Sequence, residues 1–398
     1  MPRVSKAAVT RGPAPLGESP SVHLDALRGF AAFCVVLNHL RDALFVDYEA
    51  IARHNPLKAA AYLVSGMGRQ SVIVFFVLSG YLVGGSVLRS VHSGSWSWRP
   101  YLLARLSRLY VVLLPALLLG GALDWLGMHM PGTEAVYNGN SGMHALAIIV
   151  HGVLTWPVLA ANVLFLQSLE LPGMRSHPIL PFGSNGALWS LSYEFWYYLA
   201  FPLLVFLLAR SKSWKIRVLS CLGLLAWGWF VGLSVFLLGL TWLMGASINF
   251  LPAFPARGRW TRGLAIVLAL VLFAAGLVES KLLGSIPSNL ILGLAVTAMI
   301  WVMLYCATAP LPAFYVHIAR RAAHSSYTLY LVHLPMLIFL KAALHLPRAY
   351  PGWHAYLVGA GVLAAIVLYA QLVFEAFEKN TDRVRRWIRP YVMGRRAA

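Results

Sequence analysis

Apolar positions in this chain do not alternate with polar ones; they run together in blocks such as 30–45, 71–88, 188–208 and 358–374. Blocks near ~20 residues match the length a helix needs to cross the hydrocarbon core of a bilayer, and no two-residue alternation of the barrel kind competes. The pattern predicts ten spans at 24–46, 70–88, 108–126, 188–209, 217–232, 235–252, 263–279, 286–306, 325–342 and 354–375. The predicted fold class is all-α, a polytopic transmembrane helix bundle. Residues 145–167 are apolar enough to cross as well, but His151, Gly152 and Pro157 interrupt them. They are predicted to form a broken re-entrant or interfacial segment, which is tolerated where protein or a cavity satisfies its backbone. Residues 217–252 must hold two short helices with a turn near 228–232.

Composition sharpens this reading. Hydrophobic residues make up 59% of the 398 and charged residues 11%, against about 25% charged in an ordinary soluble domain. The formal charge of +19 would suggest nucleic acid in a soluble chain, but no basic soluble module exists here to carry it, so no nucleic-acid partner is expected. The charge is instead divided by the spans: 24 of the 32 Lys and Arg residues fall on the side of the two termini. By the positive-inside rule that side is cytoplasmic, and the membrane is expected to be a bacterial inner membrane. Residues 1–20 are expected to be a disordered basic tail rather than a cleavable signal, 21–378 the membrane domain, and 379–398 a basic cytoplasmic tail. Cys34, Cys221 and Cys306 each sit in an apolar stretch and predict neither a disulfide framework nor a zinc site.

Five blocks carry candidate chemistry. In the first span Arg28 and His39 are eleven residues apart, which puts them on one helix face and about 16.5 Å apart along the axis. Asp25, one turn before Arg28, can pair with it. An intramembrane histidine is a functional candidate by default. The second block, SVIVFFVLSGYLVGG, sets Phe75 and Ser79 on one face with glycines for close packing. The third, RPYLLARLSRLY, puts Arg105 and Arg108 one turn apart, able to clamp phosphates or simply to decorate a cytoplasmic helix end. The fourth, NGALWSLSYEFWYYL, brings Ser190, Glu194 and Tyr197 or Tyr198 to one face. A carboxylate in that aromatic wall must be protonated, paired or catalytic, and by depth its natural partner is His39. In the fifth, HSSYTLYLVHLPM, Ser326, Tyr330 and His333 line a face at i, i+4 and i+7. His317, His324, His144 and His151 lack the further ligands a metal site needs, so no metal is expected.

Taken in order, these blocks resemble the acyltransferase-3 family of bacterial membrane acyltransferases, which includes O-acetyltransferases of surface polysaccharides. The resemblance rests on Arg28 and His39 within LDALRG and the run after it, on Phe75, Phe76, Ser79 and Gly80, and on Trp189, Ser190, Leu191 and Glu194. The late block adds Ser326, Tyr327, Leu329, Tyr330, Leu331, His333 and Pro335. Two motifs depart from the family pattern: Ala104 and Val111 stand where an arginine and a proline are usual, and Asn380 follows Glu378 and Lys379 where a proline is usual.

The resemblance implies no bound cofactor. It implies an acyl-CoA donor, usually acetyl-CoA, and a glycan or glycolipid acceptor at the far side of the bilayer. On that footing Arg28, Arg105 and Arg108 would hold the donor phosphates. His39, oriented by Glu194, would act as general base, while Ser79, Tyr330 or His333 would stabilise the oxyanion. Asp25, Trp189, Ser190 and Ser326 would support them. A transporter or flippase of a lipid-linked glycan, and a non-catalytic assembly partner, are the competing readings, and thioester consumption separates them.

Overall fold

The computed structural model describes residues 18–51, 55–140, 142–146, 148–256 and 258–393. Most of the expected N-terminal tail, 1–17, lies outside the described residues, and its last three residues already belong to the first helix. Among the described residues ten helices are long and apolar enough to cross a membrane, and each overlaps one of the ten predicted spans. They are α1 (Glu18–Leu44), α3 (Gly68–His92), α4 (Trp98–Met128), α8 (Trp189–Leu208), α9 (Trp214–Val231), α10 (Leu233–Ser247), α11 (Arg259–Leu283), α12 (Ile286–Cys306), α13 (Ala313–Ala343) and α14 (Trp353–Ala376). The predicted turn between the two short helices is Gly232, whose φ of 87° ends α9 and starts α10, a conformation that residues with a Cβ adopt at a cost. Ten crossings return the chain to the end at which α1 begins, here called the proximal end; the opposite end is distal.

Shorter helices complete the chain. α2 (Pro56–Ser65) is capped by the Asn55 side chain, which accepts from Lys58 N–H. α5 (Glu134–Tyr137), α6 (Val150–Val153) and α7 (Trp156–Val163) lie between α4 and α8. The eight residues of α7 span about 12 Å, far short of the ~30 Å hydrocarbon core. The 145–167 stretch is therefore broken, and its loop backbone is satisfied by neighbours, as an irregular segment at that depth requires. Ser192 Oγ (2.6 Å) and Trp196 Nε1 (2.9 Å) both donate to the Phe165 carbonyl, and the Tyr110 hydroxyl donates to that of Val163 (2.9 Å). The final basic stretch contains a helix, α15 (Thr381–Met393), which packs on α4.

The most closely packed helix pairs are α1 with α13, α3 with α10 and α11 with α12, while most residues of α9 and α11 are not buried. Small residues set the close approaches. Gly80 of α3 lies against the Trp242 carbonyl of α10 and Gly245 of α10 against the Val77 carbonyl of α3, so closely that a Cβ at either would collide with backbone. Gly29 of α1 meets Ala322 of α13 in the same way. Such contacts are what hold helices together where lipid is as apolar as leucine.

Candidate active site

α1 crosses from Arg28 near the proximal end to His39 near the distal end, and the two face different cavities. The proximal cavity, about 150 Å³, is lined by Arg28, Arg105, Arg108, Ser79, Glu194, Tyr198, Ser326 and Tyr327, with an apolar wall that includes Phe75, Phe76 and Leu191. The distal cavity, about 510 Å³, is lined by Asn38, His39, Arg69, Trp189, Tyr193 and Ser234. Tyr330 and Val72 line both. The cavities meet at Tyr330, whose hydroxyl is fastened to Ser190 Oγ at 2.7 Å and to the Ala187 carbonyl at 3.1 Å.

The turn before α8 places Ser190 and Glu194. Asp124 of α4, almost fully buried, accepts from Ser184 N–H (2.7 Å) and Oγ–H (2.6 Å). Asn185 donates to the Leu331 carbonyl of α13 at 2.8 Å. The start of α8 is thereby tied to two other helices, which fixes its depth and rotation.

In the proximal cavity Glu194 Oε1 accepts from Ser79 Oγ at 2.6 Å and from the Tyr198 hydroxyl at 2.5 Å, and Trp242 Nε1 donates to Ser79 Oγ at 3.2 Å. The Ser79 hydroxyl is held between the Trp242 indole as donor and the Glu194 carboxyl as acceptor. The open choice between Tyr197 and Tyr198 resolves to Tyr198; Tyr197 turns away and donates to the Val235 carbonyl. Glu194 as the partner of His39 is a correction: its carboxylate is committed to α3 and to its own helix. Similar depth fixed neither helix rotation nor neighbour.

The arginines gather at the proximal side of the same cavity. Arg28 pairs with Asp25 at 3.2 Å, and Arg105 lies over the rings of Tyr101 and Tyr198. Arg28, Arg108 and Glu378 act on one another electrostatically. Nε of Arg28 and of Arg105 is buried without a hydrogen-bond partner among the described residues, an unmet demand that an anion could satisfy. Glu378, noted in the sequence only as a helix end, reaches back to accept from Thr328 N–H (3.1 Å) and Oγ1–H (2.5 Å). Ser326 Oγ donates to the Ala323 carbonyl of its own helix.

The partner of His39 is His333, with Nδ1 of His39 2.8 Å from Nε2 of His333 and the rings stacked at 5.0 Å. Nδ1 of His333 lies 2.8 Å from the Tyr330 carbonyl and 3.1 Å from that of Leu329. Carbonyls only accept, so the proton of a neutral His333 sits on Nδ1 and its Nε2 accepts from His39 Nδ1–H. That chain of donors leaves the lone pair of His39 on Nε2. Around the distal cavity Trp189 packs edge-on against Phe76 and Tyr193.

His144 corrects the expectation that it lacks companions. It meets Asp42 and Asp47, residues about a hundred positions away that no local pattern reveals. The group is an ion clasp with its own cation. His144 Nδ1 bonds Asp42 at 2.9 Å, Ala145 N–H donates to Asp42 at 2.8 Å, and Arg348 holds Asp47 at 2.8 Å. The Arg348 hydrogen bond keeps the Asp47 carboxyl below the usual carboxylate range. Sequence reasoning missed Trp242, Asn38 and Arg69, which no local pattern sets apart from their neighbours.

Over 180 residues the chain is 29% identical to the Acyltransferase MdmB of Streptomyces mycarofaciens, an overlap of 45% of this chain and 38% of that protein. The shared region is thus well under half the length of that relative. No solved structure matches the chain. The family model described as an acyltransferase domain matches residues 22–371, which takes in every candidate residue of both cavities from Arg28 to His333, and the chain therefore belongs to the acyltransferase-3 family.

Proposed function

We propose that the protein transfers an acyl group, acetyl foremost, from a cytoplasmic CoA thioester to a hydroxyl of an envelope or exported glycan or glycolipid at the outer face of a bacterial inner membrane. The proximal end is then cytoplasmic, in keeping with the Lys and Arg bias toward it. The observation that carries the reading is the pair of cavities meeting at Tyr330, with three arginines on one side and, on the other, an imidazole nitrogen of His39 that has no hydrogen-bond partner among the described residues.

In this mechanism Arg28, Arg105 and Arg108 bind the phosphates of acyl-CoA by charge-assisted hydrogen bonds. The pantetheine arm runs along the apolar wall and brings the thioester to the junction. The acceptor enters the distal cavity, where Trp189 and Tyr193 offer aromatic faces and Asn38, Arg69 and Ser234 offer polar contacts suited to a sugar ring. Nε2 of His39 takes the proton of the acceptor hydroxyl as its oxygen attacks the thioester carbonyl, and His333 holds the ring in the required tautomer. The tetrahedral oxyanion accepts from Tyr330 or Ser79, whose hydroxyl proton turns to it from the Ala187 carbonyl or from Glu194, and collapse expels the CoA thiolate, which takes up the proton held by His39. No covalent acyl-enzyme is required.

The experiment is acyl transfer in inverted membrane vesicles, following label from acetyl-CoA into the glycan and lipid fractions with wild type beside His39→Ala at matched levels. Transfer by wild type that disappears in the variant supports the reading. Full labelling by His39→Ala removes His39 as base, and consumption of no thioester by wild type returns the protein to the transporter class.

A further inference from the structure

The proximal cavity is small, and behind Ser79 in its wall stands a single large side chain. Trp242 is 1% exposed, and its indole N–H donates to Ser79, which lines the cavity. The same tryptophan lines a separate cavity of about 450 Å³ between α8, α9 and α10. That cavity is walled almost wholly by apolar groups, among them Phe201, Leu204, Leu225, Phe236, Leu240 and Leu243. Its volume lies within the ~300–1,000 Å³ typical of small-molecule sites. Adjacent residues of α8 divide in the same way: Tyr198 faces Glu194 and the proximal cavity, while Tyr197 lines the apolar one. Phe201 packs against the Trp242 ring at 4.9 Å and holds it in place.

We propose that Trp242 is the partition that restricts the donor to short acyl groups, and that the apolar cavity behind it is a latent site for a longer acyl chain. This deepens the acyl-transfer reading and rests on it. An acyl group delivered to Ser79 and Tyr330 meets the fastened Tyr330 ahead and the indole at its side. An acetyl group stops there. A chain several methylenes longer needs a void that the cavity of about 150 Å³ does not supply once the donor arm is in it. The space it needs lies one ring away.

The test uses the full chain in membrane vesicles, with radiolabelled acetyl-CoA and octanoyl-CoA as donors, comparing wild type, Trp242→Leu and Trp242→Phe. Wild type is expected to prefer acetyl strongly. Trp242→Leu is expected to raise the octanoyl-to-acetyl rate ratio by about tenfold or more, in the range that added methylenes produce at a fitted pocket. Trp242→Phe keeps a ring in the wall and is expected to retain the wild-type preference. Octanoyl transfer by wild type at the acetyl rate overturns the proposal, as does a Trp242→Leu protein that transfers acetyl with an unchanged ratio. If the Leu variant transfers nothing, thermal stabilisation by the two donors decides: extra stabilisation by octanoyl-CoA confined to that variant supports the partition, and equal shifts overturn it. Failure of wild type to transfer any acyl group removes the acyl-transfer reading itself, and the partition with it.

Discussion

The proximal and distal cavities lie within one bundle and share Tyr330 and Val72, yet they are built on different principles. The proximal one is narrow, walled by helices along its length, and its polar groups are mutually committed: Glu194 to Ser79 and Tyr198, Arg28 to Asp25, Arg105 to two aromatic rings. The distal one is more than three times larger, takes part of its lining from the turn at Gly186 and from Ala145, and is lined by His39, whose Nε2 has no hydrogen-bond partner among the described residues. A tight helical slot suits one invariant ligand. A broader, loop-edged bowl can be reshaped for different acceptors without disturbing the machinery beneath, because loops tolerate change that packed helices do not.

The sharpest way to break this division is at the histidine. His39→Ala is expected to cut transfer by about 10²–10⁴-fold, the usual contribution of a general base, while acyl-CoA still binds. A residual rate above about a tenth of wild type would mean that the base lies elsewhere. Next come the arginines. Arg28→Gln and Arg105→Gln should each raise the half-saturating acyl-CoA concentration by about ten- to a hundredfold, since a hydrogen bond to a charged group contributes roughly 1.5–3 kcal/mol. Neither should change the half-saturating acceptor concentration; a shift there would show that the two ends do not bind separate substrates.

His333→Asn should have a smaller effect, a fall in kcat of about tenfold with little change in either KM, because it removes orientation rather than contact with substrate. Its signature is spectroscopic: ¹⁵N chemical shifts should report His39 protonated at Nδ1 in wild type and as a mixture of tautomers in the variant. A wild-type spectrum with the proton on Nε2 would reverse the donor chain. The smallest effect concerns the clasp at the distal end. Because folding lowers the Asp47 pKa through Arg348, the pair contributes fully above the unfolded carboxylate value near about 3.9 and fades as pH falls toward and through the lower native value. For so exposed a carboxylate that contribution is no more than about 1 kcal/mol. Arg348→Gln should therefore lower the thermal midpoint more at neutral pH than in strong acid, where only its bonds to the Phe45 and Gly142 carbonyls are lost, and an equal loss at both would assign the role of Arg348 to those carbonyls alone.

The positions of all ten long helices were legible in the sequence because a span must satisfy length and apolarity at once, and few segments of a chain meet both. The interrupted 145–167 stretch was legible for the complementary reason, since glycine and proline leave backbone groups that a lone helix cannot satisfy. Site residues were legible as a set, because polar groups are rare in such helices. Their pairings were not. Counting residues gives depth along the membrane normal, but His39 chooses between Glu194 and His333 by rotation about the helix axis and by which helices adjoin, and those follow from close packing at residues such as Gly29 and Ala322. Trp242 escaped for a related reason: one indole among 14 tryptophans is unremarkable until it is seen to stand between Ser79 and a second void.

The contact between α3 and α10 at Gly80 and Gly245 leaves no room for even a methyl group on either helix. Two helices pressed backbone to backbone cannot slide or roll past each other without separating, so they form one stiff plank that carries Ser79 and Trp242 together. On the proposed reading, any opening that admits a donor headgroup is expected on the other side of the slot, where α4, α8 and α13 supply Arg105, Arg108, Glu194 and Tyr327.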